Sequence, residues 1–302
     1  MTVSLLQTDA KKSRMARTKK EGDVPMWHIV SDTSCDLHSL EGGNGTFDFA
    51  TIPFSIRIGD KEYIDDENMP VEEMLTANEN QAELAQTSCP SPEDWREKFA
   101  ADGPALAFTI SSALSGSYNS ACTAKQMLEE EDPEKQIAVI DSKATGPEVA
   151  MLINKARELI LEGKMFREIE AVLNREAERI HTVFALASYR NLIKAGRVSR
   201  LIGFIAGHLG FWGIGIGSDE GEIAIRGKAR GDRSMIRFLV DEIKKIGTAG
   251  NEIRISHCMN EKCALALKEQ LEQTFQGVKV ILMETRGLDS FYAERHGLIV
   301  GF

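Results

Sequence analysis

Residues 105–110 read Ala105-Leu106-Ala107-Phe108-Thr109-Ile110, and the next eleven read Ser111-Ser112-Ala113-Leu114-Ser115-Gly116-Ser117-Tyr118-Asn119-Ser120-Ala121. A short apolar run that ends abruptly in polar residues is the pattern of a buried strand running into a loop, and a helix is predicted from about Tyr118. The hydroxyls of the loop therefore sit at the carboxyl edge of a sheet, where open α/β folds bind their ligands. An elaborate helix N-cap would account for one or two of these hydroxyls, a ligand site for the rest, and the spacing leaves both open.

The same texture repeats outward from this stretch. Apolar runs at Trp27 to Val30, Phe49 to Ile58, Ile137 to Ile140 and Val183 to Leu186 predict strands, and Glu148 to Leu161 has the apolar spacing of a helix. Alternation of the two predicts an α/β fold with a mostly parallel sheet flanked by helices. The texture changes near Ser188 to Arg200, so a junction is placed at about residue 180: an N-terminal α/β domain over 26–180 and a smaller, mixed-sheet C-terminal α/β domain over 181–302. In the second domain, strands are expected at Gly213 to Ile216, Glu222 to Arg226, Glu252 to Ser256, Val278 to Met283 and Leu298 to Phe302. Helices are expected over Asp232 to Ile246 and Asn260 to Thr274, with Asn260 as N-cap. Gly213-Ile214-Gly215-Ile216-Gly217 reads as a strand with a close backbone approach, not as a phosphate loop.

A net charge of −10 opposes the nucleic-acid backbone and argues against a nucleic-acid role. Five cysteines without a C-x-x-C pair signal neither a disulfide framework nor a zinc site, which suits a reducing, cytoplasmic setting. Residues 1–25 are basic, lack an apolar core and read as a disordered extension. Leu201 to Gly217 is apolar but shorter than the ~20 residues of a span and broken by glycines, so no integral membrane segment is expected.

Three further patterns bear on chemistry. In Thr87-Ser88-Cys89-Pro90-Ser91-Pro92, Ser91 caps a helix beginning at Pro92 with Asp94 completing a capping box, which leaves Thr87 and Ser88 to serve either a plain turn or a carboxylate cradle. Ser112 or Ser115 as a nucleophile lacks a G-x-S-x-G elbow, and the six histidines are scattered, with only Asp32 and His296 as conceivable helpers of Ser115. Asp65-Asp66-Glu67 has no metal-ligand spacing and reads as a solvated turn.

Taken together, these motifs resemble the DegV family. Ser31-Asp32-Thr33-Ser34-Cys35-Asp36-Leu37 is similar to that family's T-D-S-T-x-D-L opening, Thr87 to Ser91 to its T-S-Q-P-S, and Ser111 to Ala121 to its S-S-x-L-S-G-T-Y-x-S-A, with Ser117 in place of threonine. Tyr63 with Asp65 and Asp66, Asp141-Ser142, Gly196-Arg197-Val198, Arg230, His257 and His296-Gly297 follow in the same order, so the likeness spans nearly all of the chain after residue 25. The chain departs from the family pattern in having no Lys-Pro pair near Gly213 and no Gly-Pro-Gly after His296.

The resemblance implies two α/β domains with a long-chain fatty acid between them. Such proteins are the lipid-binding subunit of bacterial fatty acid kinase: they offer the carboxylate to a separate ATP-dependent catalytic subunit that makes acyl phosphate, and are not enzymes alone. Carried over by position, Thr87 or Ser88 and one of Ser112 and Ser115, with Gly116, would hold the carboxylate, Arg197 and His296 would support it, and Arg230 would instead face the kinase. No cofactor is implied. A hydrolase or acyl transferase built on Ser112 or Ser115, and a lipid-responsive regulator, are the alternatives. Leu201 to Trp212 is a candidate lining for the acyl tunnel, or else a core helix.

Overall fold

The computed structural model describes residues 26–81, 85–198 and 210–302. The proposed extension over 1–25 and nearly all of the proposed lining over 201–212 lie outside them.

Strands β1 (Trp27–Asp32), β2 (Phe47–Ile52), β6 (Ala105–Thr109) and β7 (Ile137–Asp141) form a wholly parallel sheet in the order β2-β1-β6-β7. Because strand side chains alternate, Ile29, Leu106 and Phe108 pack on one face against α4 (Pro147–Leu161) and α5 (Phe166–Ala177). Val30, Ala105 and Ala107 pack on the other against α2 (Pro92–Phe99) and α3 (Ser117–Glu131). Coverage on both faces explains why these strands read as continuous apolar runs.

The run Phe49 to Ile58 is not one strand. Pro53 interrupts it: β2 ends at Ile52, and β3 (Ser55–Ile58) belongs to a separate antiparallel sheet with β4 (Lys61–Ile64) and β5 (Ala85–Ser88), in the order β4-β3-β5. Helix α1 (Val71–Gln81) packs on β3.

The second domain is a mixed sheet, β10-β9-β8-β13-β11-β12, with β8 (Thr182–Leu186), β9 (Phe211–Gly217), β10 (Ile223–Arg230), β11 (Glu252–His257), β12 (Lys279–Glu284) and β13 (Leu298–Gly301). Only the β11–β12 pair is parallel. One face is a closed core in which Val183, Ala185, Trp212, Ile214 and Ile216 pack with α7 (Asp232–Ile246) and α8 (Glu261–Thr274).

The opposite face explains the Gly-Ile alternation. Phe184 pairs with Gly215 and Leu186 with Gly213, while Gly217 lies beside Thr182. A Cβ on Gly215 would come within 2.3 Å of the Phe184 ring. Three glycines at period two thus leave β9 bare on the side where β8 projects Thr182, Phe184 and Leu186, and that missing volume becomes a cavity.

Asn260 does precede α8, but its side chain makes no cap; its Nδ2 donates to the carbonyl of His296 at 2.8 Å. Among the described residues, no helix is long and apolar enough to cross a membrane.

Candidate functional site

The loop after β6 is held from below by two carboxylates. Asp32, at the end of β1, accepts from the Ile110 amide at 3.1 Å and from the Ser117 hydroxyl at 2.6 Å, and burial pushes its carboxyl up to about 6. Asp141, at the end of β7, accepts from the amide and hydroxyl of Ser112 at 3.0 and 2.5 Å. A hydroxyl has a single proton, so Ser112 has none left to offer a ligand. The Ser115 oxygen instead accepts from the Ser117 amide at 3.3 Å, which leaves its O–H free to donate. Gly116 opens α3 as its N-cap.

Thr87 and Ser88 are strand residues of β5, not part of a turn, so they project to opposite sides. Thr87 Oγ1 shares a 2.8 Å hydrogen bond with the hydroxyl of Tyr292, and Ser88 is exposed on the other side. Just beyond β5, Cys89 Sγ lies 3.5 Å from where a Cβ on Gly116 would stand, and Cys89, Leu114 and Tyr292 pack together on Phe54, Ile110 and Leu288. The two hydroxyl loops therefore meet.

Arg197 arrives by helix-capping geometry. Helix α6 (Arg190–Lys194) ends with Gly196 in the left-handed region at φ 72, the Gly196 amide bonded to Ile193 O at 3.1 Å and the Arg197 amide to Leu192 O at 2.9 Å. This is a Schellman motif, which needs a residue tolerant of positive φ at that position. It sets the Arg197 guanidinium on the Leu114 carbonyl, close enough for its charge to act on Tyr292. Burial outweighs that charge and holds the Tyr292 phenol above its ordinary range, so it is a neutral donor.

Tyr292 carries no signal in sequence spacing, because its partner is 205 positions away. It sits on α9 (Gly287–Ala293), whose placement depends on Asp65. That residue is 1% exposed, not solvated: its two oxygens accept the Gly287 and Leu288 amides at 2.9 Å each, and it pairs with the buried Arg286. Arg286 also donates to the carbonyls of Leu37 and Asp65, and its amide to Asp36, tying the second domain to the first. Asp66 and Glu67 are exposed in the expected turn and Asp65 is not, because only its long-range partner distinguishes a buried clamp from a solvated residue. An arginine inside Thr285-Arg286-Gly287-Leu288, next to an apolar Phe291-Tyr292 pair, was the available hint.

Two expected site residues are elsewhere. His296 is exposed on the turn after α9, its amide bonded to Cys258 O and its carbonyl to Asn260, and no hydrogen bond links it to either loop among the described residues. Arg230 lies at the far end of β10, its guanidinium 5.6 Å from the Phe211 ring centroid. The other end of that strand approaches Ser111, whose hydroxyl bonds Gly221 O at 2.8 Å; the seven steps from Ile223 to Arg230 span roughly 23 Å. No imidazole bonds Ser112 or Ser115 among the described residues: His28 bonds Asp48 and Asp102 O, and His257 accepts the Asn260 amide.

Below this rim is the space left by the β9 glycines. It holds about 540 Å³, part of it open to solvent, and is lined by Leu114 and Tyr292 at the rim and by Phe184, Leu186, Leu192, Ile223 and Ile299 within. Ligand pockets typically combine apolar walls with a few convergent polar groups.

Two α/β domains thus enclose an apolar space under a small polar rim. Comparison with known proteins gives the family: the profile described as "Uncharacterised protein, DegV family" matches residues 26–293, and the chain belongs to the DegV family. A DegV domain-containing protein of Streptococcus pneumoniae is 35% identical over 276 residues, covering 91% of this chain and 98% of that protein. The structure of the Streptococcus pneumoniae fatty acid kinase (Fak) B3 protein loaded with linoleic acid superposes with a TM-score of 0.88 at 35% identity, covering 92% of this chain and 99% of that one. A DegV family protein from Eubacterium eligens loaded with heptadecanoic acid superposes at 0.86 with 32% identity, covering 91% and 98%.

Proposed function

We propose that this protein binds a long-chain fatty acid and presents its carboxylate to a separate ATP-dependent kinase subunit, which forms the acyl phosphate in the cytoplasm. The carboxylate lies among Thr87, Tyr292, Ser115 and the Gly116 amide with Arg197 beside it, and the acyl chain fills the apolar cavity. The observation that carries the reading is the meeting of the two hydroxyl loops, through Thr87–Tyr292 and Cys89–Gly116, at the mouth of that cavity.

The driving force is adequate. Each buried methylene contributes about 0.8 kcal/mol, so a sixteen-carbon chain gains roughly 12 kcal/mol before the entropic cost of binding. Neutral hydroxyl donors at a rim, with one exposed cation, hold a carboxylate without the desolvation cost of a deeply buried ion pair, and leave it reachable by a partner. The fatty acids bound by the Streptococcus pneumoniae and Eubacterium eligens proteins support the ligand class, and the Fak B3 designation supports a kinase partner.

Denaturing extraction followed by mass spectrometry is expected to release fatty acid from purified protein, and delipidated protein should bind oleate and palmitate. Acyl phosphate should form only when protein, kinase subunit and ATP are combined. Protein that is empty as purified and ignores added fatty acid would end the proposal. Stoichiometric labelling of Ser115 by a fluorophosphonate would replace it with an activated nucleophile.

A further inference from the structure

Four buried aspartates, Asp32, Asp36, Asp65 and Asp289, lie close enough around the start of α9 to feel one another, with the Arg286 guanidinium acting on Asp36 and Asp65. Two of the four have donors on both oxygens. Asp32 takes the hydroxyls of Ser34 and Ser117 at 2.5 and 2.6 Å, and Asp65 takes the Gly287 and Leu288 amides.

The other two are satisfied on one oxygen only. Asp36 Oδ1 accepts the Arg286 amide at 2.7 Å and Asp289 Oδ1 the Thr145 hydroxyl at 2.6 Å, while Oδ2 of each is buried with no hydrogen-bond partner. These two bare oxygens face one spot. Each is 2.9 Å from where a Cβ on Gly146 would stand, which puts them less than about 6 Å apart, and the Ser256 hydroxyl is 3.7 Å from the same point. Asp36 reaches it from beyond β1 of the parallel sheet, Asp289 from α9 and Ser256 from β11 of the mixed sheet.

Two carboxylates this close and out of water cannot both ionise without strong repulsion, so the pair retains a proton. Burial pushes Asp36 up to about 7 and holds Asp289 well above the ordinary range, with each of them also raised by a neighbouring aspartate. The other titratable side chains on the elements that meet here, Cys35, Glu148, His257 and Cys258, are favoured as neutral by burial and supply no counter-charge. Asp289 and Tyr292 are three residues apart on α9 and both line the apolar cavity, so whatever moves Asp289 moves the rim donor with it.

We infer that Asp36 and Asp289 form a proton latch: while the pair holds a proton, α9 stays seated with Tyr292 at the rim, and when both are ionised α9 lifts and the bound acid is released. The ligand's part in this rests on the fatty-acid reading above; the seating of α9 does not. Because both acids bind their proton more tightly in the folded state, the seat weakens as pH rises through about 7, not as it falls.

Two measurements on the delipidated full-length protein check the latch between about pH 6 and about pH 9. Backbone hydrogen exchange over residues 287–293, corrected for intrinsic rate, should lose protection more than about tenfold across that range in the parent and less than about threefold in Asp36→Asn and Asp289→Asn. The dissociation constant of hexadecanoic acid, from displacement of a fluorescent fatty acid, should rise about tenfold more in the parent than in either variant; comparing proteins on one ligand cancels the ligand's own ionisation. Equal protection of α9 at both pH values in the parent overturns the latch, and that result needs no variant to fold. Equal pH slopes in the parent and the folded variants overturn it as well. Failure of hexadecanoic acid to bind at any pH removes the fatty-acid reading, while hydrogen exchange still decides whether the pair seats α9.

Discussion

Filling the bare face of β9 should shorten the tunnel by a calculable amount. Gly217 lies at the far end of the apolar cavity, in an extended strand, and a Cβ there meets only Thr182, at ordinary van der Waals distances of 3.6 and 3.8 Å. Gly217→Leu is therefore expected to fold, in contrast to Gly215→Ala, whose Cβ would collide with the Phe184 ring. The leucine side chain occupies the room of three to four methylenes, and at about 0.8 kcal/mol each their exclusion costs the ligand about 3 kcal/mol, or about a hundredfold in affinity. Palmitate should lose that much. Decanoate, whose end falls short of Gly217, should change little. Displacement titrations across chain lengths, with thermal midpoints to confirm folding, measure the effect. A folded Gly217→Leu protein that keeps its palmitate affinity within about threefold, or loses palmitate and decanoate equally, would refute the placement of the acyl chain along β8.

Other consequences follow from the rim, the clamp and the buried acids. Tyr292→Phe removes one donor to a charged group and should weaken fatty-acid binding about tenfold or more, whereas His296→Ala should not affect it; titration of both variants decides which aromatic serves the carboxylate. Asp65→Asn leaves Arg286 buried without its counter-charge and should cost about 3–5 kcal/mol, read as a lower urea midpoint; an unchanged midpoint would show that the pair does not clamp α9. Burial pushes Asp36 up to about 7, with Asp65 also raising it and Arg286 opposing. An acid whose folded pKa exceeds its unfolded value binds its proton more tightly in the native state, so its contribution is full below about pH 4 and is lost as pH rises through about 7. Asp36→Asn should accordingly gain stability relative to the parent as pH rises over that window, and a pH-independent difference in thermal midpoint would contradict it.

What the sequence made legible was whatever is written locally. Strand and helix positions follow from apolar period; the capping box at Ser91 follows from residues three apart, and the close approach at β9 from glycines two apart. The first hydroxyl loop was legible only as a candidate, because its hydroxyls outnumber what a cap can use while the spacing left cap and ligand site both open, and the sorting among them was not legible. Ser112 and Ser115 look alike in sequence; they differ because Asp141, from the end of another strand, takes the Ser112 proton. Thr87 and Ser88 were indistinguishable as a turn and become opposites once the segment is a strand. Tyr292 and Asp65 were missed for one reason: each acquires its role from a partner more than two hundred positions away.

That division has a mechanistic consequence. The rim is assembled from three separately anchored pieces: Thr87 on the small antiparallel sheet, Ser115 on a loop fixed by Asp32 and Asp141 in the first domain, and Tyr292 on a helix fixed by Asp65 across the domain boundary. The cavity, by contrast, depends mainly on the bare face of the second sheet. Head-group affinity should therefore respond to anything that shifts one domain against the other, while chain-length preference should respond only to substitutions on β8, β9 and their neighbours. A kinase subunit that gripped both domains could loosen the carboxylate by moving Tyr292 away from Thr87 without disturbing the hydrocarbon, exposing the reacting oxygen while the tail stays buried.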